Sequence, residues 1–327
     1  MKKPRVFVTR HIPESKLAQL QASCEVGLWD EKQPPPREII LDRVKGKQGI
    51  FSLLTDTIDA QVMDAAGADL KVISNCAVGY DNIDVFEATS RRIPVGNTPD
   101  VLTDTTADFA FALMMAAGRR IVEGDRFARA GKWKTWGLTT LLGVDISGST
   151  LGIIGFGRIG RRVAKRARGF DMRVLYYDPL CEDDPYAAEI GLHCVNYETL
   201  LRESDFISLH TPLNDETYHM INTETLSKMK PTAILINTAR GPVVDSEALY
   251  QALKSGVIQA AALDVTDPEP IPADHPLLSL DNIVITPHIA SASFDTRNKM
   301  VQMAIDNLLA GLRGERLPNC VNPSIYD

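Results

Sequence analysis

Two doubly wound α/β lobes, each a parallel sheet covered by helices on both faces, with a cleft between them, are the fold class that this sequence predicts. Three observations carry the prediction. Short β-branched runs alternate with helical stretches along the chain, the pattern of strands buried on both faces. The alternation comes in two series, divided by a long helical stretch at 103–130 and a polar, glycine-rich loop at 131–149. The length, 327 residues, suits about two domains.

In the first series, "VFVT" (6–9) reads as a strand, "ESKLAQLQAS" (14–23) as a helix and "EVGLW" (25–29) as a strand. "PPPREIILDRVKG" (34–46) opens on prolines and closes on glycine, which suits a helix start and stop. Strands are expected at 49–54, 70–77 and 93–97, with helices around 58–66 and 84–91. The stretch 103–130 is expected as one long helix, with Thr103 and Asp104 as capping residues and an apolar middle. In the second series, strands are expected at 150–154, 172–177, 205–210, 232–236, 258–263 and 283–286, with helices at about 158–168, 196–203, 223–228 and 245–255. The tail, 292–314, reads as one amphipathic helix ending at glycine.

Composition excludes several classes of function. The chain is 44% hydrophobic and 24% charged, enough to bury sizeable cores, and its formal net charge is −7. With no long basic run, nucleic acid is not an expected partner. The N-terminal "MKKPRVFVTR" lacks the apolar core of a secretory signal. The longest nearly uncharged run, "FAFALMMAAG" (109–118), is shorter than the ~20 residues that a bilayer requires, so no membrane association is expected. Five cysteines (24, 76, 181, 194, 320) form no C-x-x-C pair, which suggests reduced thiols and a cytoplasmic protein. No metal site is expected.

"TLGIIGFGRIG" (150–160) contains Gly155-x-Gly157-x-x-Gly160 in the context that gives such a motif meaning. An apolar strand precedes it, the helix "RIGRRVAKRARG" follows, and the next strand, "MRVLYY", ends at Asp178, 18 residues past Gly160. Gly155 would allow the tight turn, Gly157 the approach of a pyrophosphate, and Gly160 close packing of helix on strand. The helix start, with Arg158 and Ile159, would offer N–H groups and partial positive charge to the phosphates. Asp178 would accept hydrogen bonds from the ribose hydroxyls and repel a 2′-phosphate, so NAD(H) is expected as cofactor and NADP(H) is disfavoured. The competing reading is a plain structural βαβ turn, and the coincidence of strand, loop, helix, strand and acid argues against it.

In open α/β sheets, ligands lie outside the carboxyl ends of the strands. Thr211 and Pro212 follow "FISLH"; "TARG", with Thr238, Ala239 and Arg240, follows "AILIN"; Asp264 and then Glu269 follow "QAAAL"; and "PHIAS", with His288 and Ser291, follows "IVIT". Taken singly, these are more often ion pairs, solvated turns or packed residues. Together on one edge they make a hydride-transfer site. Reducing a ketone needs hydride at carbon and a proton at oxygen, and a histidine beside a carboxylate is a suitable acid, so His288 would be the acid/base and Glu269 its orienter and tuner. Arg240 is a permanent cation with a planar fork, able to polarise a carbonyl and pair with a carboxylate. Asp264 would face the nicotinamide, and Ser291 would add a hydrogen bond to the substrate carboxylate.

At these residues the sequence resembles the D-isomer-specific 2-hydroxyacid dehydrogenases: "GFGRIG", "NTARG", "LDVTDPEP" and "TPHIAS" match that family's signature regions in order and spacing over nearly the whole chain. The stretches "ISNCAVGYDNID", "NTPDVLTDTTADFAFALMM" and "LLAGLRGE" resemble its glyoxylate/hydroxypyruvate reductases most. The resemblance implies a discontinuous, flavodoxin-like catalytic lobe of residues 1–99 and 291–327, and an inserted Rossmann lobe of residues 100–290 that binds the cofactor. It implies a homodimer through the 103–145 region, where Trp133 and Trp136 lie. It also implies that amides of Val78 and Gly79 hold the substrate carboxylate, that Leu53 lines the pocket, and that Thr106 touches the nicotinamide side. From the residues alone, the "AVGYDN" loop is equally a plain turn.

The expected function is reduction of a small 2-keto acid to its 2-hydroxy acid. Other D-2-hydroxyacid dehydrogenases, of the phosphoglycerate or D-lactate type, are the alternatives on the same scaffold, but the Val78–Gly79 loop has no basic residue for a substrate phosphate. An NAD-sensing, corepressor-like binding protein would keep the same residues without turnover.

Overall fold

The computed structural model describes residues 2–180 and 185–327. The chain divides into two compact units, Met1–Leu102 with Ala292–Asp327, and Thr103–Ser291.

The first unit is built on a five-stranded parallel sheet: β1 (Arg5–Val8), β2 (Glu25–Leu28), β3 (Gly49–Ser52), β4 (Val72–Asn75) and β5 (Val95–Gly96), in the order β2-β1-β3-β4-β5. This is the flavodoxin-like strand order. β1, β3 and β4 are almost wholly buried, because helices cover both faces. One face carries Phe7, Ile50, Ile73 and Val95 against Ile40, Val62 and Met63. The other is covered by the C-terminal helix, Phe294–Leu312. A Cβ added to Gly311 would lie 2.5 Å from Val72 Cβ, so the helix approaches β4 more closely than any larger residue would allow. Ser74 Oγ donates to Ala304 O at 2.7 Å along the same contact.

The second unit holds a seven-stranded parallel sheet: β6 (Thr150–Ile154), β7 (Arg173–Tyr177), β8 (His193–Cys194), β9 (Phe206–Leu209), β10 (Ile234–Asn237), β11 (Ala260–Leu263) and β12 (Ile283–Ile285). Their order, β8-β7-β6-β9-β10-β11-β12, is the Rossmann order with one strand added, and it reverses direction between β6 and β9. Ala107, Ala110, Met114 and Ala117 of the helix Thr103–Gly118 pack with Ile234, Ile236 and Ala262 on one face. Leu200, Leu249 and Leu253 pack with Ile207 and Leu235 on the other.

Three expectations are corrected. The helix expected over 103–130 is two helices, Thr103–Gly118 and Ile121–Arg129, because Arg120 turns left-handed at φ 52°. The cause is tertiary. The chain at 143–146 crosses the end of the first helix, Val144 N–H donates to Gly118 O at 2.8 Å, and Arg120 is held by Glu123 at 2.8 Å and by Leu142 O at 3.2 Å. The helix expected over 34–46 is the shorter Arg37–Arg43, because its prolines stay outside. Cys24, Cys76 and Cys320 are free thiols, but Cys194 is disulfide-bonded, so the expectation of reduced thiols fails there. Cys181 lies outside the described residues. The short helix Pro185–Glu189 and the edge strand β8 had no sequence assignment, being too short to show a period. Among the described residues no helix is long and apolar enough to cross a membrane, and no group of His, Cys, Asp and Glu is placed to hold a metal ion.

Candidate active site

The glycine loop joins β6 to the helix Arg158–Ala167. Gly155 has φ 91°, and a Cβ there would meet the His210 carbonyl at 2.7 Å; a Cβ on Gly160 would meet Gly155 O at 2.2 Å. Both positions therefore exclude any side chain. Gly157 has open space beside it and begins the helix with no side-chain cap. The N–H groups of Gly157, Ile159 and Gly160 donate to no group among the described residues. An uncapped helix start with free amides fits a pyrophosphate.

Asp178 follows β7. Its Oδ2 accepts from Phe156 N–H at 2.8 Å and its Oδ1 from Leu180 N–H at 2.9 Å, which locks the carboxylate against the glycine loop. Each oxygen keeps a further lone pair for a ribose hydroxyl. Thr211 and Thr238, after β9 and β10, have buried hydroxyls without a hydrogen-bond partner, unused polar capacity at the same sheet edge. Pro212 is exposed, Ala239 is buried in the turn after β10, and Thr106 is buried in the first turn of its helix. Free amides, an open glycine, a fixed carboxylate and unspent hydroxyls together fit a dinucleotide.

Arg240 stands in a turn that the fully buried Asn237 shapes, accepting from Ala239 N–H at 2.9 Å and donating to Arg240 O at 2.8 Å. Its Nη1 donates to Ala239 O at 2.8 Å. His288 has a left-handed backbone, φ 52°, which aims its ring back toward the segment after β11. There its Nδ1 lies 2.6 Å from Glu269 Oε1. Glu269 Oε2 accepts from Thr266 N–H at 3.4 Å, so the carboxylate is itself held. With Nδ1 committed to the carboxylate, Nε2 is the ring nitrogen left open.

Asp264 does not present an open carboxylate to a nicotinamide. It is 1% exposed. Its Oδ1 accepts from Thr286 Oγ1 at 2.6 Å and Ile289 N–H at 2.8 Å, its Oδ2 accepts from Ala290 N–H at 2.7 Å, and its carbonyl accepts from His288 N–H at 2.8 Å. It builds the loop that carries His288. Ser291, the last residue of this unit, is half-buried, and its hydroxyl bonds to no described residue.

Two residues of this unit escaped sequence reasoning. Asn237 is one; its place at the end of a buried strand was its only signal. His210 is the other. Its imidazole is 2.8 Å from Ser208 Oγ, and burial pushes its pKa down to about 3, so the ring is neutral near pH 7.

In the first unit, the loop after β4 has its carbonyls tied back. Ala77 O accepts from Thr98 N–H at 2.9 Å, Val78 O from Asn97 Nδ2 at 2.8 Å, and Gly79 O from Asn75 Nδ2 at 3.0 Å. The N–H groups of Val78 and Gly79 donate to no group among the described residues, an arrangement that suits an anion. Leu53 is fixed nearby, its N–H donating to Asp56 Oδ2 at 2.7 Å and its carbonyl accepting from Asn82 Nδ2 at 3.0 Å.

Comparison with known proteins follows the same lines. The family model described as D-isomer specific 2-hydroxyacid dehydrogenase, NAD binding domain, matches residues 111–290. The chain is 56% identical to a glyoxylate reductase from Korarchaeum cryptofilum over 324 residues, covering 99% of this chain and 97% of the relative. Among solved structures, a protein from Thermus thermophilus superposes with a TM-score of 0.90 at 48% identity, over 97% of this chain and 99% of that one. An NADPH-dependent glyoxylate/hydroxypyruvate reductase from Sinorhizobium meliloti, solved with NADP and malonate, gives 0.85 at 30% identity, over 98% of each chain. Sheet order, glycine loop and likeness over almost the full length agree, and the chain belongs to the D-isomer-specific 2-hydroxyacid dehydrogenases, oxidoreductases acting on the CH–OH group of 2-hydroxy acids.

Proposed function

We propose that this protein reduces glyoxylate, and the related hydroxypyruvate, to the corresponding 2-hydroxy acid, with NADH as the preferred reductant. The observation that carries the reading is the His288–Glu269 pair at 2.6 Å, on a chain 56% identical to a glyoxylate reductase. A bound reduced nicotinamide supplies the hydride. His288 Nε2 gives its proton to the carbonyl oxygen as the carbon accepts the hydride, and Glu269 holds the ring by accepting from Nδ1–H. Arg240 polarises the carbonyl with its fixed charge. The open amides of Val78 and Gly79 take the substrate carboxylate, Leu53 supplies apolar lining, and Ser291 adds a hydrogen bond. In the reverse direction the same imidazole removes the hydroxyl proton.

The preference for NADH over NADPH rests on Asp178, whose locked carboxylate repels a 2′-phosphate. A homodimer through the 103–145 region belongs to the same reading. Trp133, Trp136, Leu138 and Leu142 are 61–79% exposed in one stretch, apolar surface suited to a second copy. A cytoplasmic location belongs to the same reading, with Cys24, Cys76 and Cys320 as free thiols and the disulfide-bonded Cys194 as the exception.

The test is a kinetic panel of glyoxylate, hydroxypyruvate, pyruvate and phenylpyruvate with NADH and NADPH, followed by absorbance of the reduced nicotinamide. Glyoxylate and hydroxypyruvate with NADH are expected to turn over fastest. Tight NADH binding with no turnover of any 2-keto acid would overturn the proposal in favour of a nucleotide-sensing protein.

A further inference from the structure

The C-terminal helix lies along β4 in regular steps. Gly311 is against Val72, and Ala304, seven residues earlier, is against Ser74. Seven helical residues advance ~10.5 Å, whereas two strand residues advance ~6.7 Å. One further step of seven reaches Arg297 and overshoots the end of β4, which brings this residue to the start of the loop that carries Val78 and Gly79. The placement has an independent sign: the Cys76 thiol, pushed up to about 12 by burial, is pulled back by the charge of Arg297.

Arg297 is out of keeping with its stripe of the helix. The other members, Met300, Val301, Ala304, Ile305 and Leu308, form a buried apolar face. A half-buried guanidinium there gains from a compensating anion. Among the described residues none is supplied: Arg297 makes no ion pair and no side-chain hydrogen bond. The nearby carbonyls of residues 77–79 already accept from Thr98, Asn97 and Asn75, while the N–H groups of Val78 and Gly79 donate to no group among the described residues. A lone cation at the edge of a donor-lined loop has the composition of a carboxylate site.

We propose that Arg297 is a substrate-binding residue, a second fixed positive charge that receives the carboxylate of the 2-keto acid together with the amides of Val78 and Gly79. This rests on the function proposed above, and it makes Arg297 a determinant of substrate affinity.

The test uses Arg297→Gln and Arg297→Lys in the full-length protein. Steady-state rates with glyoxylate are measured alongside calorimetric binding of oxalate to the NADH complex and fluorescence titration of NADH. A lost charge-assisted contact predicts that Arg297→Gln raises KM roughly 10- to 100-fold and weakens oxalate in parallel, with kcat and NADH affinity nearly unchanged and Lys recovering part of the loss. Unchanged KM and oxalate affinity in Arg297→Gln would overturn the proposal. So would a parallel fall in kcat, NADH affinity and thermal midpoint, the mark of a structural residue. Oxalate binding does not depend on turnover, so a wild-type protein inactive on every 2-keto acid would refute the proposed function while this comparison still reads the anion site.

Discussion

Asp264→Asn asks how firmly the loop carrying His288 is held. The carboxylate takes three donors, Thr286 Oγ1 and Ile289 N–H on one oxygen and Ala290 N–H on the other, at 2.6, 2.8 and 2.7 Å. An amide replaces only one oxygen. Its least costly orientation keeps the oxygen on the two-donor side and turns NH2 toward Ala290 N–H, leaving two buried donors without acceptors. A lost hydrogen bond to a carboxylate and an unsatisfied buried donor each carry ~1–3 kcal/mol, and since the two overlap, the expected cost is about 2–4 kcal/mol. At about 1.4 kcal/mol per factor of ten, that cost lowers the ratio of seated to released 286–290 loop by roughly 30- to 700-fold. The assay is kcat at saturating glyoxylate and NADH, with urea unfolding on the same sample. The expectation is a fall in kcat of at least about tenfold, with global stability falling by no more than the calculated cost. A variant within about twofold in kcat and about 0.5 kcal/mol in stability would refute the reasoning, since that is the scale of a neutral surface change.

Two further predictions concern the glycine loop and the pH response. Gly160→Ala places a Cβ 2.2 Å from Gly155 O, so it is expected to weaken NADH binding and lower the thermal midpoint together; a variant that binds NADH normally would contradict the packing argument. His210, held to about 3 by burial, refuses a proton that the unfolded chain accepts near pH 6.5. Between those values the unfolded state binds more protons, so stability falls as pH falls, by about 1 kcal/mol per unit after allowing for partial exposure of the residue. His210→Asn removes this contribution, and its urea midpoint is expected to fall less steeply than wild type from pH 6 to 4; equal slopes would refute it.

The alternation of short β-branched runs and helices was legible because it is local: each strand buried on both faces must be apolar along its whole length, and each turn must be polar. The break at Arg120 was not legible, since arginine is a good helix former and nothing within 103–130 forbids continuation. It comes from residues 143–146, which cross Gly118 from outside the helix. β8 pairs only two residues with β7 and leaves no periodic trace. Cys194 shows the same limit, because a disulfide without a spacing motif is a statement about distance, which sequence does not carry.

The site divides along a similar line. Glu269 and His288 could be read as partners because each follows a strand of one parallel sheet, and the 2.6 Å contact needs only that shared edge. What holds such residues in place could not be read, because the holders are ordinary side chains whose partners are backbone groups. Asn237 and Asp264, 0% and 1% exposed, sit at or just past the ends of neighbouring strands, and each ties down a turn bearing a candidate site residue, Arg240 or His288. Asn75 does the same in the first unit, at the end of β4 and 0% exposed, with Gly79 O and Asn82 Oδ1 as its acceptors. A buried amide or carboxylate is tolerable only when its hydrogen bonds are made, so each of these positions penalises any other arrangement of the turn above it. The consequence is that precision in this protein is set one layer beneath the reactive groups. Substituting Asn237 or Asp264 is therefore expected to disturb catalysis through geometry, while substituting Arg240 or His288 is expected to remove the proposed chemistry and leave the fold intact.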